Sequence, residues 1–175
     1  MNISKMFLYQ SEESHLNSVT IAALLGEERY LMFMSAENEV KSIVGKQLFR
    51  QFESLNSKYH IAMIEKMYKL GAQYGYKQFI QYSLLSSAPI PTDEELTDTY
   101  YNSKECTAHI EFDQEDELSA LVKQIQTMCG FETYDNFEDL DSQYQLEDGR
   151  VYYIQGFRDA ISLLSEMSGK EKALN

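Results

Sequence analysis

The chain has 175 residues, 43% of them hydrophobic, and a formal net charge of −13, so it can bury a real core as one domain or two small ones and is not a disordered tail. Thirteen Tyr, no Trp and only two Pro favour long uninterrupted helices over many short strands. Cys106 and Cys129 lie in no metal-ligand spacing, which speaks against a disulfide framework or structural zinc and for a reducing cytoplasmic setting, and no leader or eighteen-residue apolar run predicts secretion or membrane spanning.

In chain order, ESHLNSVTIAALLGEERYLMFM predicts a helix interrupted at Gly26, with a short strand over 19–25 as the alternative, because periodicity cannot decide a nearly continuous apolar run. Ser35 is placed as the N-cap of a helix over 36–54, with Glu37 and Glu39 at its positive end and Val40, Ile43, Val44, Leu48, Phe52 and Leu55 as its stripe. Leu55-Asn56-Ser57 is read as a break. A second helix then runs toward Pro89, making an antiparallel hairpin. SSAPIPT, residues 86–92, is the expected linker. Thr92 and Glu95 have capping-box spacing and open a short helix, and CTAHIEF alternates in a way that suits a minor strand near 106–112. Asp113 is expected to cap a helix carrying Leu118, Leu121, Val122, Ile125 and Met128 and ending at Gly130. A short helix from Asn136 and a last one from Asp148-Gly149 to Gly169 complete the chain.

The expected fold is therefore mainly α: two helical hairpins packed together, with a near-neutral region over 1–86 and an acidic region over 92–175, joined by the 86–92 linker into one compact unit. Residues 1–86 carry nine Lys/Arg against eight Asp/Glu, whereas 87–175 carry six against twenty. An acidic surface repels phosphate backbones, so direct nucleic-acid binding by the second half is not expected.

Gly75-Tyr76-Lys77 and Gly156-Phe157-Arg158 repeat a glycine, aromatic, cation step. Mid-helix glycine costs about 1 kcal/mol against alanine, so such a helix usually gains a close backbone approach. Gly71 with Gly75, and Gly156 with Ala160, make flat faces that would serve a helix crossing or a homodimer equally well. YYIQGFRDAISLLSEM resembles the C-terminal helix of a family of small, uncharacterised helical proteins from Gram-positive bacteria and their mobile elements, and YGYKQFIQYSLL resembles it more weakly. The resemblance implies two related helical hairpins and carries no activity with it.

Of the residue types that do chemistry, His109, Glu111 and Asp113 alternate and on a strand would share one face toward a divalent metal. His15 and His60 are isolated, no nucleophile motif is present, and no cofactor is expected. Aromatics set among carboxylates suit a protein-binding surface: Asp93, Glu94, Glu95, Asp98, Tyr100 and Tyr101, then Glu132, Tyr134, Asp135, Glu138, Asp139, Asp141 and Tyr144. The leading expectation is a non-enzymatic acidic inhibitor or regulator that blocks a basic nucleic-acid-binding surface as a nucleic-acid mimic. In charge and size the chain is similar to the anti-CRISPR proteins of phages and mobile elements that occupy Cas9. The alternative is a metal-dependent, nuclease-like enzyme using His109, Glu111 and Asp113.

Overall fold

The computed structural model describes residues 23–85, 90–106 and 110–168. Five helices follow Gly26 in this region: α1 (Glu27–Val44), α2 (Lys46–Leu85), α3 (Asp93–Asn102), α4 (Glu115–Cys129) and α5 (Phe131–Met167). The protein is mainly α-helical, with no strand among the described residues. Of the segments considered for strands, 23–25 is helical, Cys106 lies in a turn and 110–112 is irregular; 19–22 and 107–109 lie outside the described residues, as does 86–89 of the expected linker. Among the described residues no helix is long and apolar enough to cross a membrane.

The helix boundaries differ from expectation in one consistent way. Ser35 lies inside α1, and α2 runs straight through Leu55-Asn56-Ser57. Asn56 does not compete with the helix backbone, because its amide donates to Asp141 on α5, and Phe52 and Leu55 are buried on the same stretch. The break falls instead at Gly45, whose φ of 83° and ψ of 154° no other residue adopts without strain. α5 likewise continues past Asn136 and Asp148-Gly149, and the chain turns at Gly130 (φ 81°, ψ 156°). The capping box is where the sequence places it: Thr92 accepts from the Glu95 amide while Glu95 accepts from the Thr92 amide at 2.8 Å. Residue 114, not Asp113, precedes α4, and its side chain makes no cap.

The described residues divide into two compact units that do not follow the 86–92 boundary: 23–61 with 113–147, and 62–85, 90–106 and 110–112 with 148–168. In unit 1 an aromatic cluster forms the core. Phe33, Phe49, Phe52 and Tyr134 all lie about Phe137, with centroids 6.0, 6.2, 6.0 and 6.1 Å away, and Val40, Ile125, Leu140 and Tyr144 close around them. Each such ring pair contributes about 1 kcal/mol beyond the area it buries. Phe52 meets Phe137, Asn56 meets Asp141 and His60 meets Tyr144, so α2 and α5 advance in the same direction here.

Unit 2 is built on glycine. A Cβ on Gly71 would stand 1.9 Å from the Tyr153 carbonyl oxygen, and one on Gly156 would stand 2.1 Å from that of Tyr68. Backbone thus lies on backbone, and the flat face is used within the chain. Met67, Leu96, Tyr100, Tyr153, Phe157 and Ile161 fill the core beside it. Tyr68 donates to Asp159 at 2.9 Å, and burial followed by that bond pushes its hydroxyl up to about 12. Arg158 pairs with Asp93 at the start of α3.

These contacts reveal an internal repeat with a period of 85 residues, the separation of Asn56 and Asp141. Gly45 answers to Gly130, Phe49 to Tyr134, Phe52 to Phe137, Leu55 to Leu140, Tyr59 to Tyr144, Tyr68 to Tyr153 and Gly71 to Gly156. Gly71 touches Tyr153 and Gly156 touches Tyr68, the reciprocal pattern of a two-fold relation inside one chain. The equivalent of Gly156-Phe157-Arg158 is accordingly Gly71-Ala72-Gln73, not Gly75-Tyr76-Lys77.

Candidate functional site

The expected partner-binding residues fall into two groups, one in each unit. In unit 2, Asp93, Glu94, Glu95 and Asp98 are exposed on α3. Three of them have a local reason to be there: carboxylates in the first turn favour the positive end of the helix, Glu95 completes the cap, and Asp93 holds Arg158. Tyr101 is exposed and rests edge-on against Tyr100, 5.3 Å away. Tyr100 itself is buried, with its hydroxyl where a side chain on Gly149 would be, and so supplies packing and not contact area.

In unit 1 the exposed acids are Glu132, Asp135, Glu138 and Asp139, which recur along the outer side of α5. Tyr134 and Tyr144 face inward, at 2% and 3% exposure, and belong to the core. Three of the four tyrosines expected to provide the hydrophobic part of a docking surface, Tyr100, Tyr134 and Tyr144, are therefore structural, and Tyr101 alone is exposed. Tyr134, Phe137, Leu140 and Tyr144 recur at three- and four-residue steps with exposed acids between them, the inward half of an amphipathic pattern that the acid-rich composition obscured.

Asp141 is neither outward nor free. Its Oδ2 accepts from the Asn56 amide at 2.9 Å and from the Gln145 amide at 2.7 Å, and Gln145 also reaches Asn56 Oδ1 at 3.4 Å. Burial pushes the Asp141 carboxyl up, against the opposing pull of Asn56, His60 and Gln145. Beside it a cavity of about 260 Å³ opens among α2, α4 and α5, lined by Phe52, Asn56, Tyr59, Leu118, Val122, Tyr134, Phe137, Glu138, Asp141, Ser142 and Gln145. Glu138 is also raised, by burial and then by Asp135, Asp139 and Asp141. On α1, Glu37 is raised by burial and by its hydrogen bond and charge repulsion with Glu53, which Lys41 offsets. Lys41 stands 3.8 Å from Glu53 and 5.1 Å from the Phe49 ring centroid.

A second, larger groove of about 1000 Å³ runs between the start of α2 and α4 and is lined by Lys46, Gln47, Arg50, Gln51, Ser54, Leu55, Glu117, Ala120, Leu121 and Gln124. Lys46, Arg50 and Glu117 give it mixed charge.

His109 lies outside the described residues, while Glu111 and Asp113 are exposed. Among the described residues no group of three or more His, Cys, Asp or Glu side chains is arranged to hold a metal ion. Both cysteines are free, and burial pushes each thiol up, away from the reactive thiolate.

Sequence reasoning missed Lys41, Asn56, Tyr59 and Gln145. The signal that finds them is the 85-residue register, which pairs Asn56 with Asp141 and Tyr59 with Tyr144; alignment on the glycine-aromatic-cation steps hides it. No family model matches the chain, and neither a curated protein nor a solved structure matches it.

Proposed function

We propose that this is a non-enzymatic binding protein whose acidic side docks on a basic surface of another protein, in its most concrete form the nucleic-acid channel of a Cas9-like nuclease. The observation that carries the reading comes from the repeat. Where α5 exposes Glu132, Asp135 and Asp139, the same positions of α2 expose Gln47, Arg50 and Ser54. The fold tolerates neutral or basic side chains at these positions, so it does not itself require the acids. Among the described residues Glu132, Asp135 and Asp139 have no ion-pair partner. Such a stripe steers association with a cationic surface and competes with phosphate for it.

The test is binding to a purified Cas9-type nuclease with its guide RNA, measured as a salt series. Affinity is expected to fall steeply between about 50 and 300 mM salt, as the Debye length shortens. The combined variant Glu132→Gln, Asp135→Asn, Asp139→Asn is expected to bind at least about tenfold more weakly at low salt. Association that ignores both salt and these substitutions would rule out acidic docking.

A further inference from the structure

We propose that the cavity of unit 1 beside Asp141 is a receptor for a guanidinium group, an arginine side chain presented by the basic partner, with Glu138 and Asp141 as counter-charges and the buried Tyr134 as part of its inner wall. The inference rests on the docking reading above and gives that surface an anchor.

The internal repeat supplies the comparison. In the first repeat a cation is built in: Lys41 sits between the Glu53 carboxylate and the face of Phe49. The equivalents of Glu53 and Phe49 are Glu138 and Tyr134, and both line the cavity. The equivalent of Lys41 is Gln126. The second repeat thus keeps the carboxylate and the ring and lacks the cation between them. The space has the same origin, since Leu118 and Val122 stand where the first repeat has the bulkier Phe33 and Glu37.

The chemistry of the walls favours a planar guanidinium over a compact ammonium. Two carboxylates can each take a charge-assisted hydrogen bond, and both hydrogen bonds to Asp141 end on Oδ2, so neither engages Oδ1. Burial raises both carboxyls, and Asp135, Asp139 and Asp141 add repulsion at Glu138, so an incoming cation offsets an unfavourable placement of negative charge. The source is a protein side chain because Glu138 is exposed and lies in the field of Asp135 and Asp139, members of the docking stripe, so the cavity opens on the surface a partner would cover.

The experiment titrates the full chain with the capped tripeptide Gly-Arg-Gly and with its neutral isostere Gly-citrulline-Gly, following the side-chain amide signals of Asn56 and Gln145 by NMR. The arginine peptide is expected to shift both saturably and the citrulline peptide is not. Glu138→Gln, an exposed and nearly isosteric change, should weaken the arginine response by about tenfold. Gln126→Lys, which restores the first repeat's cation, should abolish it and raise the melting temperature. Equal responses to the two peptides, no response to either, or an undiminished response in folded Gln126→Lys would overturn the proposal. Salt-sensitive docking on the nuclease without arginine binding would refute the anchor alone; arginine binding without docking would refute the larger reading alone.

Discussion

A methyl group on Gly71 or Gly156 meets backbone at about 2 Å, and backbone cannot swing aside as a side chain can. Gly71→Ala and Gly156→Ala are therefore expected to destabilise the protein by about 2–3 kcal/mol each, the cost of overpacking, despite the ~1 kcal/mol that alanine ordinarily adds to a helix. Gly149→Ala should cost less, because its nearest neighbours are the ends of the Tyr100 and Met63 side chains. Urea denaturation of the three variants gives the order directly. Sequence alone identified Gly71, Gly75 and Gly156 as points of close approach, and all three are, a Cβ on Gly75 meeting the Phe157 carbonyl oxygen at 2.7 Å; it could not tell which of the two on α2 answers to Gly156, and it read Gly149 as a helix start. Asp141 yields a second prediction at this scale. Its carboxyl, with those of Glu37 and Glu138, is held above its ordinary range, so it binds a proton more tightly folded than unfolded. Stability should then rise as pH falls through the raised values toward the unfolded carboxylate range of about 4, the penalty being complete above the raised values and gone below the unfolded ones. Asp141→Asn keeps an oxygen for Asn56 and Gln145, and is expected to stabilise the chain at pH 7 by about 1 kcal/mol and to flatten that pH dependence of the melting temperature.

At the scale of the elements, two single glycines do the work that longer turns were expected to do. Gly45 and Gly130 adopt a conformation essentially reserved for glycine, and no atom lies within 4 Å of where a Cβ would be at either. Gly45→Ala and Gly130→Ala should each cost about 2 kcal/mol through backbone strain alone, and because the space is empty, a larger residue such as serine should cost about the same. Thermal melts of the alanine and serine pairs check both statements. Gly130 was legible as a stop because the apolar stripe Leu118, Val122, Ile125 ends just before it. Gly45 was not, because Val40, Val44, Leu48 and Phe52 keep an apolar rhythm across it. The false breaks at Asn56 and Asp148-Gly149 have the opposite cause. Residues that favour turns when exposed sit mid-helix here, with Asn56 satisfied by Asp141 and with Asp148 and Gly149 buried.

Over the whole molecule, the repeat explains why charge and architecture divide the chain differently. Composition shows near-neutral and acidic halves meeting near residue 86, and helical content follows from the scarcity of proline, so fold class and charge asymmetry were both readable. Compact units were not, because α2 and α5 each serve both, and a linear scan sees no contact between residues 85 apart. Equivalent positions differ in charge: Lys46 and Arg50 answer to Phe131 and Asp135, and Gln47 and Ser54 to Glu132 and Asp139. A core of shared rings and glycines in unit 1 thus carries cations at the start of α2 and carboxylates at the equivalent stretch of α5. With a net charge of −13, self-repulsion among exposed carboxylates weakens the folded state at low ionic strength. The melting temperature should therefore climb as sodium chloride rises from about 10 to 200 mM, a range over which the Debye length falls from roughly 30 to 7 Å. The triple variant Glu132→Gln, Asp135→Asn, Asp139→Asn removes three of those charges from the side that has no internal cations. It should melt higher than the parent at 10 mM salt and converge with it at 200 mM. A gap that persists at high salt would assign the stabilisation to helix propensity instead of repulsion, and the acids would then lose their standing as a charge held in reserve for a partner.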